Sequence, residues 1–251
     1  MTSIYVTVIL LSLLSCVTTC LGVGLALLLR ESPRSIAVGI GFSVGIMVLI
    51  SVLELIPESI ADMGTAGVLV STVLGSLLVW LAHVLIPHFH LINGNGIADR
   101  AHFKSAYLVV FGLILHDVPE GFAMANAYVS SPALGVLVAL AIGLHNLPEE
   151  FAMAVPIVTL RSKRFLVGAA LLSALAEPAG AIIGLVAVGI APLFNAAFMA
   201  LAAGAMLFVS IHELIPFARR YGHIGYFLMG LMLSALVMWL LASFIGSHAI
   251  R

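Results

Sequence analysis

Two ten-residue stretches hold the side chains most able to do chemistry. HDVPEGFAMA occupies residues 116–125 and HNLPEEFAMA occupies residues 145–154. Each opens on a histidine with a glutamate four places on: His116 with Glu120, and His145 with Glu149. On a helix those positions lie one turn apart on one face, so each histidine stands over its glutamate. Imidazole nitrogen beside carboxylate oxygen is a donor set for a borderline divalent cation. A second row runs beside the first, with Asp117 on one stretch and Asn146 on the other. Glu150 extends that row on the second stretch only, because Gly121 takes its place on the first. Buried carboxylates also build proton relays, so a proton-coupled transporter of another substrate stays open beside a metal site.

The elements that carry these residues are greasy. The chain has 251 residues, 63% hydrophobic and only 8% charged, where a soluble domain has about 25% charged. A polytopic membrane protein follows, with the lipid bilayer as its first partner. A net charge of −1 gives nucleic acid no basic surface. No basic segment precedes the first apolar run, so no removable signal peptide is expected. Cys16 and Cys20 fall inside that run and read as packing residues. Runs long enough to cross about 30 Å of hydrocarbon fall at roughly 4–29, 36–60, 66–87, 105–128, 132–158, 165–190, 193–218 and 223–246. The fold class is therefore all-α, with about eight spans in one transmembrane domain over residues 1–251. Arg30, Arg34, Arg100, Lys104, Arg161, Lys163, Arg164, Arg219 and Arg220 all follow odd-numbered spans, and only Arg251 lies opposite. Positive residues stay inside, so both termini are expected outside. The loop 88–104, with His88, His90 and His102, then faces the cytoplasm.

Within the spans stand Glu54, Asp117, Glu120, Glu149, Glu150, Glu177 and Glu213, with no lysine or arginine among them. A lone charge near a helix centre costs roughly 2.5–3.5 kcal/mol, so half a dozen would cost on the order of 15–20 kcal/mol if ionised and unpaired. The counter-charge must be protons or imported cations. Pro119 and Pro148 withhold a hydrogen bond from their helices and are expected to kink them, and Pro57, Pro178 and Pro216 stand beside other buried acids. Irregular backbone at membrane depth is tolerated where it lines a polar cavity. His212-Glu213 begins like a zinc-protease HExxH helix, but Pro216 replaces the second histidine and excludes that enzyme.

The two motifs fall on consecutive, hence antiparallel, helices. A pseudo-twofold axis in the membrane plane would bring them face to face, as in transporters with inverted repeats. Glu54-Leu55-Ile56-Pro57 in the second span echoes Glu213-Leu214-Ile215-Pro216 in the seventh. The expected layout is three, two and three helices, with the fourth and fifth central.

On these residues the chain resembles the ZIP (Zrt/Irt-like) family of metal transporters, most closely its compact prokaryotic-type members. The matching features are His116-Asp-Val-Pro-Glu-Gly121, His145-Asn-Leu-Pro-Glu149, and Ser-Ala-Leu-Ala-Glu177 in the sixth span. The resemblance implies a plasma (inner) membrane protein, not an enzyme and without a prosthetic group. It would move divalent metal into the cytoplasm, Zn²⁺ most typically, with Fe, Mn, Co and Cd as further candidates, and would be compatible with a homodimer. It also implies a binuclear site: one metal on His116, Glu120, His145 and Glu149, and a second on Asp117, Asn146, Glu177 and a bridging glutamate. Asp117 stands where many relatives have Asn, and Glu150 where Gly is usual. Glu150, His212 and Glu213 are secondary candidates for the path.

Overall fold

The computed structural model describes residues 2–28, 32–85, 116–159 and 163–249, and every regular element among them is helical. Helix α1 is Thr2–Leu28, and α2 is Pro33–Leu49, started by the Ser32 hydroxyl and Pro33. Helix α2 passes through a π-turn, Ile50–Leu55, into α3, Ile56–Leu85. Helix α4 covers 116–130, and α5 is Pro132–Thr159. Helix α6 is Lys163–Ile190 and α7 is Asn195–Val209. A second π-turn, Ser210–Leu214, leads to the short α8, Ile215–Arg219, and α9 is Ile224–Ala249.

Six stretches among the described residues are long and apolar enough to cross a membrane. Five match the first and the fifth to eighth expected spans. The sixth, Pro33–Leu85, runs 53 residues and covers the second and third. Its one break is Gly64, at φ 76° and ψ 163°, a conformation glycine reaches without strain. The break expected between the spans 36–60 and 66–87 is thus a single residue. Of the fourth expected span, 105–128, the part from 116 is described and is helical. The loop histidines His88, His90 and His102 lie outside the described residues.

The prolines act differently from expectation beside the two ELIP segments. Pro57 and Pro216 lack the N–H that would close an ordinary turn. The residue before each reaches five places back instead: Ile56 N–H to Ser51 O, and Ile215 N–H to Ser210 O. Both turns belong to a longer repeat, Gly-x-Met-x3-Ser-x2-Glu-Leu-Ile-Pro, at 45–57 and 204–216. In each copy the serine hydroxyl caps the methionine carbonyl, Ser51 to Met47 at 2.8 Å and Ser210 to Met206 at 2.9 Å.

Small residues let the helices touch through their backbones. Helix α2 packs on α9, with Gly41 against the Phe227 carbonyl and Gly230 against the Val38 carbonyl. Helix α3 packs on α7 in the same manner, with Gly75 against Leu201 and Gly204 against Thr72. Helix α1 lies on α5 and α6. Ile40, Met47, Ile142, Met199 and Met206 are fully buried, whereas Leu10, Leu69, Leu193, Met232 and Trp239 face outward. An apolar exterior of this extent suits hydrocarbon, not water.

Candidate metal site

Helices α4 and α5 are joined through Ser131 alone and run antiparallel, which sets their motifs opposite each other. The closest pairings cross between the helices. His116 Nε2 contacts Glu149 Oε1, and His145 Nε2 lies 3.2 Å from Glu120 Oε1. The pair within one helix, His145 and Glu149, is longer at 3.9 Å. Helical spacing correctly put each histidine and glutamate on one face, but the partner across the interface is nearer. All four residues are at least 98% buried.

The hydrogen-bond inventory of this quartet is incomplete. His145 Nδ1 sits 3.1 Å from the Ala141 carbonyl. A carbonyl only accepts, so Nδ1 carries hydrogen and Nε2 is the ring atom turned to the carboxylates. This is how a metal-binding imidazole is held in one tautomer. The Ser43 hydroxyl donates to the His145 carbonyl at 3.1 Å and ties α2 to the same turn. His116 Nδ1 and Glu120 Oε2 are buried without hydrogen-bond partners, while Glu149 meets His116 through Oε1 and His145 through Oε2. Buried acceptors left this way need a positive centre. Among the described residues no three His, Cys, Asp or Glu side chains form a ready-made metal cage. They meet as pairs.

The second row divides in two. Asn146 donates from Nδ2 to Ser15 Oγ on α1 and to Glu177 Oε2 on α6, the latter at 3.1 Å. Asp117 instead meets Ser173 of α6, Oγ to Oδ2 at 2.6 Å, and the same hydroxyl contacts Glu150 Oε1. The structure therefore joins Asn146 to Glu177, and Asp117 to Glu150, with no direct bond between the two groups. Ser15 was not singled out from the sequence, and Ser173 entered only as the first residue of Ser-Ala-Leu-Ala-Glu177. The available signal was a weak repeat, Leu-Leu-Ser at 13–15 and 171–173, each followed seven residues later by a glycine, Gly22 or Gly180.

His212 and Glu213 stand apart from the quartet. His212 stacks on Phe208 with ring centroids 4.2 Å apart. Glu213 Oε1 lies 3.8 Å from His83 Nδ1, on a histidine 59% exposed.

Helices with a lipid-compatible exterior around a buried histidine–carboxylate quartet define a polytopic membrane protein with a polar centre. The ZIP zinc transporter family model matches residues 92–245. A zinc transporter ZupT of Chlorobium limicola is 34% identical over 93% of this chain and 96% of its own length. Proteins of the same name from Corynebacterium aurimucosum and Xanthomonas axonopodis pv. citri are 34% and 37% identical, over 91% and 77% of this chain and 93% and 78% of their own. The chain belongs to the ZIP family, a family of membrane transporters and not of enzymes.

Proposed function

We propose that this protein carries divalent transition metal ions, Zn²⁺ foremost, across the plasma membrane into the cytoplasm. The reading rests on one observation: four buried groups pair reciprocally across two antiparallel helices, His116 with Glu149 and His145 with Glu120, and leave Glu120 Oε2 without a hydrogen-bond partner. These four hold the first cation. Asn146 and Glu177, already joined, offer ligands to a second, with a glutamate of the quartet bridging and Asp117 alongside. Nitrogen and oxygen donors together suit Zn²⁺ and admit Fe²⁺, Mn²⁺, Co²⁺ and Cd²⁺.

The architecture that serves this role is eight spans in a three–two–three inverted repeat over residues 1–251. The break at Gly64 separates the second span from the third. The matched contacts support the symmetry: α2 on α9 answers α3 on α7, and Gly22 of α1 against the Leu147 carbonyl answers Gly180 of α6 against the Val118 carbonyl. Basic connections after odd-numbered spans place both termini outside.

Uptake of ⁶⁵Zn²⁺ into proteoliposomes tests the reading, with wild type compared with His145→Ala and Glu149→Ala. Loss of a zinc ligand or its orienting partner commonly costs 10–100-fold, so uptake in both variants falls by about that factor or more. Unchanged uptake in both variants would sink the proposal.

A further inference from the structure

The geometry points to a lipid site at the turn between α8 and α9, an apolar cavity under a basic rim that takes one anionic phospholipid. It goes beyond the transport reading and borrows from it only the orientation, which puts this turn at the cytoplasmic leaflet.

The turn makes the site. Helix α8 ends at Arg219 and α9 begins at Ile224, so residues 220–223 reverse the chain. Gly222, at φ 69°, closes α8 in the left-handed conformation, with its N–H on the Arg219 carbonyl at 3.1 Å. The reversal sets the end of α8 beside the start of α9 and leaves a cavity of about 360 Å³ between them. Ile215 and Ala218 of α8 and Ile224 and Phe227 of α9 make its apolar wall, with Ala218 and Phe227 buried. Arg219, exposed, and His223, half-buried, line the same cavity and form its basic rim.

More positive charge stands close by. Arg220 is exposed next to Arg219, and Arg34 at the start of α2 lies over the Tyr226 ring, 5.7 Å from its centroid. Tyr226 meets the His223 ring edge to face, with centroids 5.9 Å apart. Three arginines and a histidine thus gather at one turn. The ion pairs among the described residues all lie elsewhere, at His83, His116 and His145.

Phosphate oxygens are what such a cluster recognises, the guanidinium by paired N–H donors. The cavity decides which phosphate compound. Free phosphate has nothing to place against Ile215, Ala218, Ile224 and Phe227, whereas an acyl chain has. Basic pockets at the cytoplasmic ends of membrane helices suit anionic headgroups, and the volume falls within the usual range of ligand sites, about 300–1,000 Å³. A second cavity, of about 320 Å³ and bounded by Gly75, Val79, Val118, Pro119 and Phe122, has no charged residue in its lining. It offers room to hydrocarbon alone, whereas the α8–α9 turn offers a place to both ends of a lipid.

The test is native mass spectrometry of the full-length protein in detergent, titrated with phosphatidylglycerol, with phosphatidylcholine of the same chains, and with glycerol 3-phosphate. Wild type binds phosphatidylglycerol about tenfold or more tightly than phosphatidylcholine, and glycerol 3-phosphate does not displace it. Each arginine is worth about fivefold towards an anionic lipid, so Arg219→Gln with Arg220→Gln weakens phosphatidylglycerol binding about 25-fold and leaves phosphatidylcholine unchanged. Both side chains are exposed, so this variant folds. Ala218→Leu narrows the cavity, keeps every charge and weakens phosphatidylglycerol binding several-fold. If it fails to elute as a folded species, Ile224→Trp narrows the cavity from an exposed position instead. Wild-type-like binding in the arginine variant overturns the site, as does equal affinity for the two lipids. Displacement by glycerol 3-phosphate, or undiminished binding with the cavity narrowed, also overturns it, because surface charge alone would then hold the headgroup. Zn²⁺ uptake enters none of these readouts, so failure here is distinguishable from failure of the transport reading.

Discussion

Asn146 and Asp117 occupy the same place in the two copies of the motif, and each leans on a serine of a neighbouring helix, Ser15 on α1 and Ser173 on α6. On the Asn146 side the carboxamide supplies two N–H groups, one to Ser15 and one to Glu177, and the Ser15 hydroxyl bonds Glu177 in turn. Donors and acceptors match. On the Asp117 side two carboxylates share one hydroxyl hydrogen. A single nitrogen-for-oxygen difference between the copies, with an acid added at Glu150, thus separates a cluster with an amide donor from one in which two acids meet at a single hydroxyl.

The strongest way to break this comparison is to make the copies alike at the added acid. Gly121→Glu forces a side chain into the Glu177 carbonyl and the Ala181 nitrogen, which are backbone and cannot swing away. Overpacking of this kind costs about 3 kcal/mol or more. The expected outcome is little or no monodisperse protein by size-exclusion chromatography. The reciprocal change, Glu150→Gly, leaves a folded protein, because nothing near Gly22 depends on that side chain for room. Equal behaviour of the two variants would show that the asymmetry of the flanks is incidental.

A gentler exchange swaps hydrogen supply between the flanks. Asn146→Asp removes both N–H donors and sets two carboxylates side by side at Glu177. An unsatisfied buried polar group costs about 1–3 kcal/mol, so the melting temperature in chelator should fall, and added Zn²⁺ should restore more of it than in wild type. Asp117→Asn should do the opposite, raising stability in chelator and reducing the gain from metal. Both variants are read by thermal unfolding with and without Zn²⁺. A fall for both in chelator would mean that the flanks do not differ in the sense argued.

Much of this site was legible in the chain before any coordinates, and the reason is duplication. One histidine in a span is weak evidence, whereas His-x2-Pro-Glu repeated on consecutive helices points to a shared centre. Periodicity located each residue on its face but not its partner across the interface, which is why the shortest contacts cross from His116 to Glu149 and from His145 to Glu120. The contacts of Ser15 and Ser173 stayed hidden because serines are common in membrane helices and matter here only through packing. The prolines of the ELIP segments announced a missing hydrogen bond. How the backbone would absorb it, by reaching back to Ser51 and Ser210, depends on the neighbouring turns. Hydropathy located the apolar stretches, while the single-residue break at Gly64 needed its φ angle to be seen.

The π-turns allow a last and smaller comparison, between Ser51 and Ser210. Both hydroxyls cap the carbonyl of a methionine four residues back. Both serines are fully buried, and each carbonyl accepts the displaced N–H of the residue before a proline. Ser210 Oγ also lies 3.7 Å from Met47 Sδ across the α2–α7 contact, whereas Ser51 has no matching contact to Met206 among the described hydrogen bonds. Membrane-buried hydrogen bonds average about 0.6 kcal/mol, and a sulfur acceptor adds less than an oxygen. Ser51→Ala and Ser210→Ala should therefore both lower the melting temperature slightly, Ser210→Ala by the larger amount. A Met47→Leu background should remove that excess, because the thioether is what distinguishes the two turns. If the excess persists without the sulfur, the two turns differ for a reason other than this contact, and the near-identity of the repeats at 45–57 and 204–216 does not extend to their energetics.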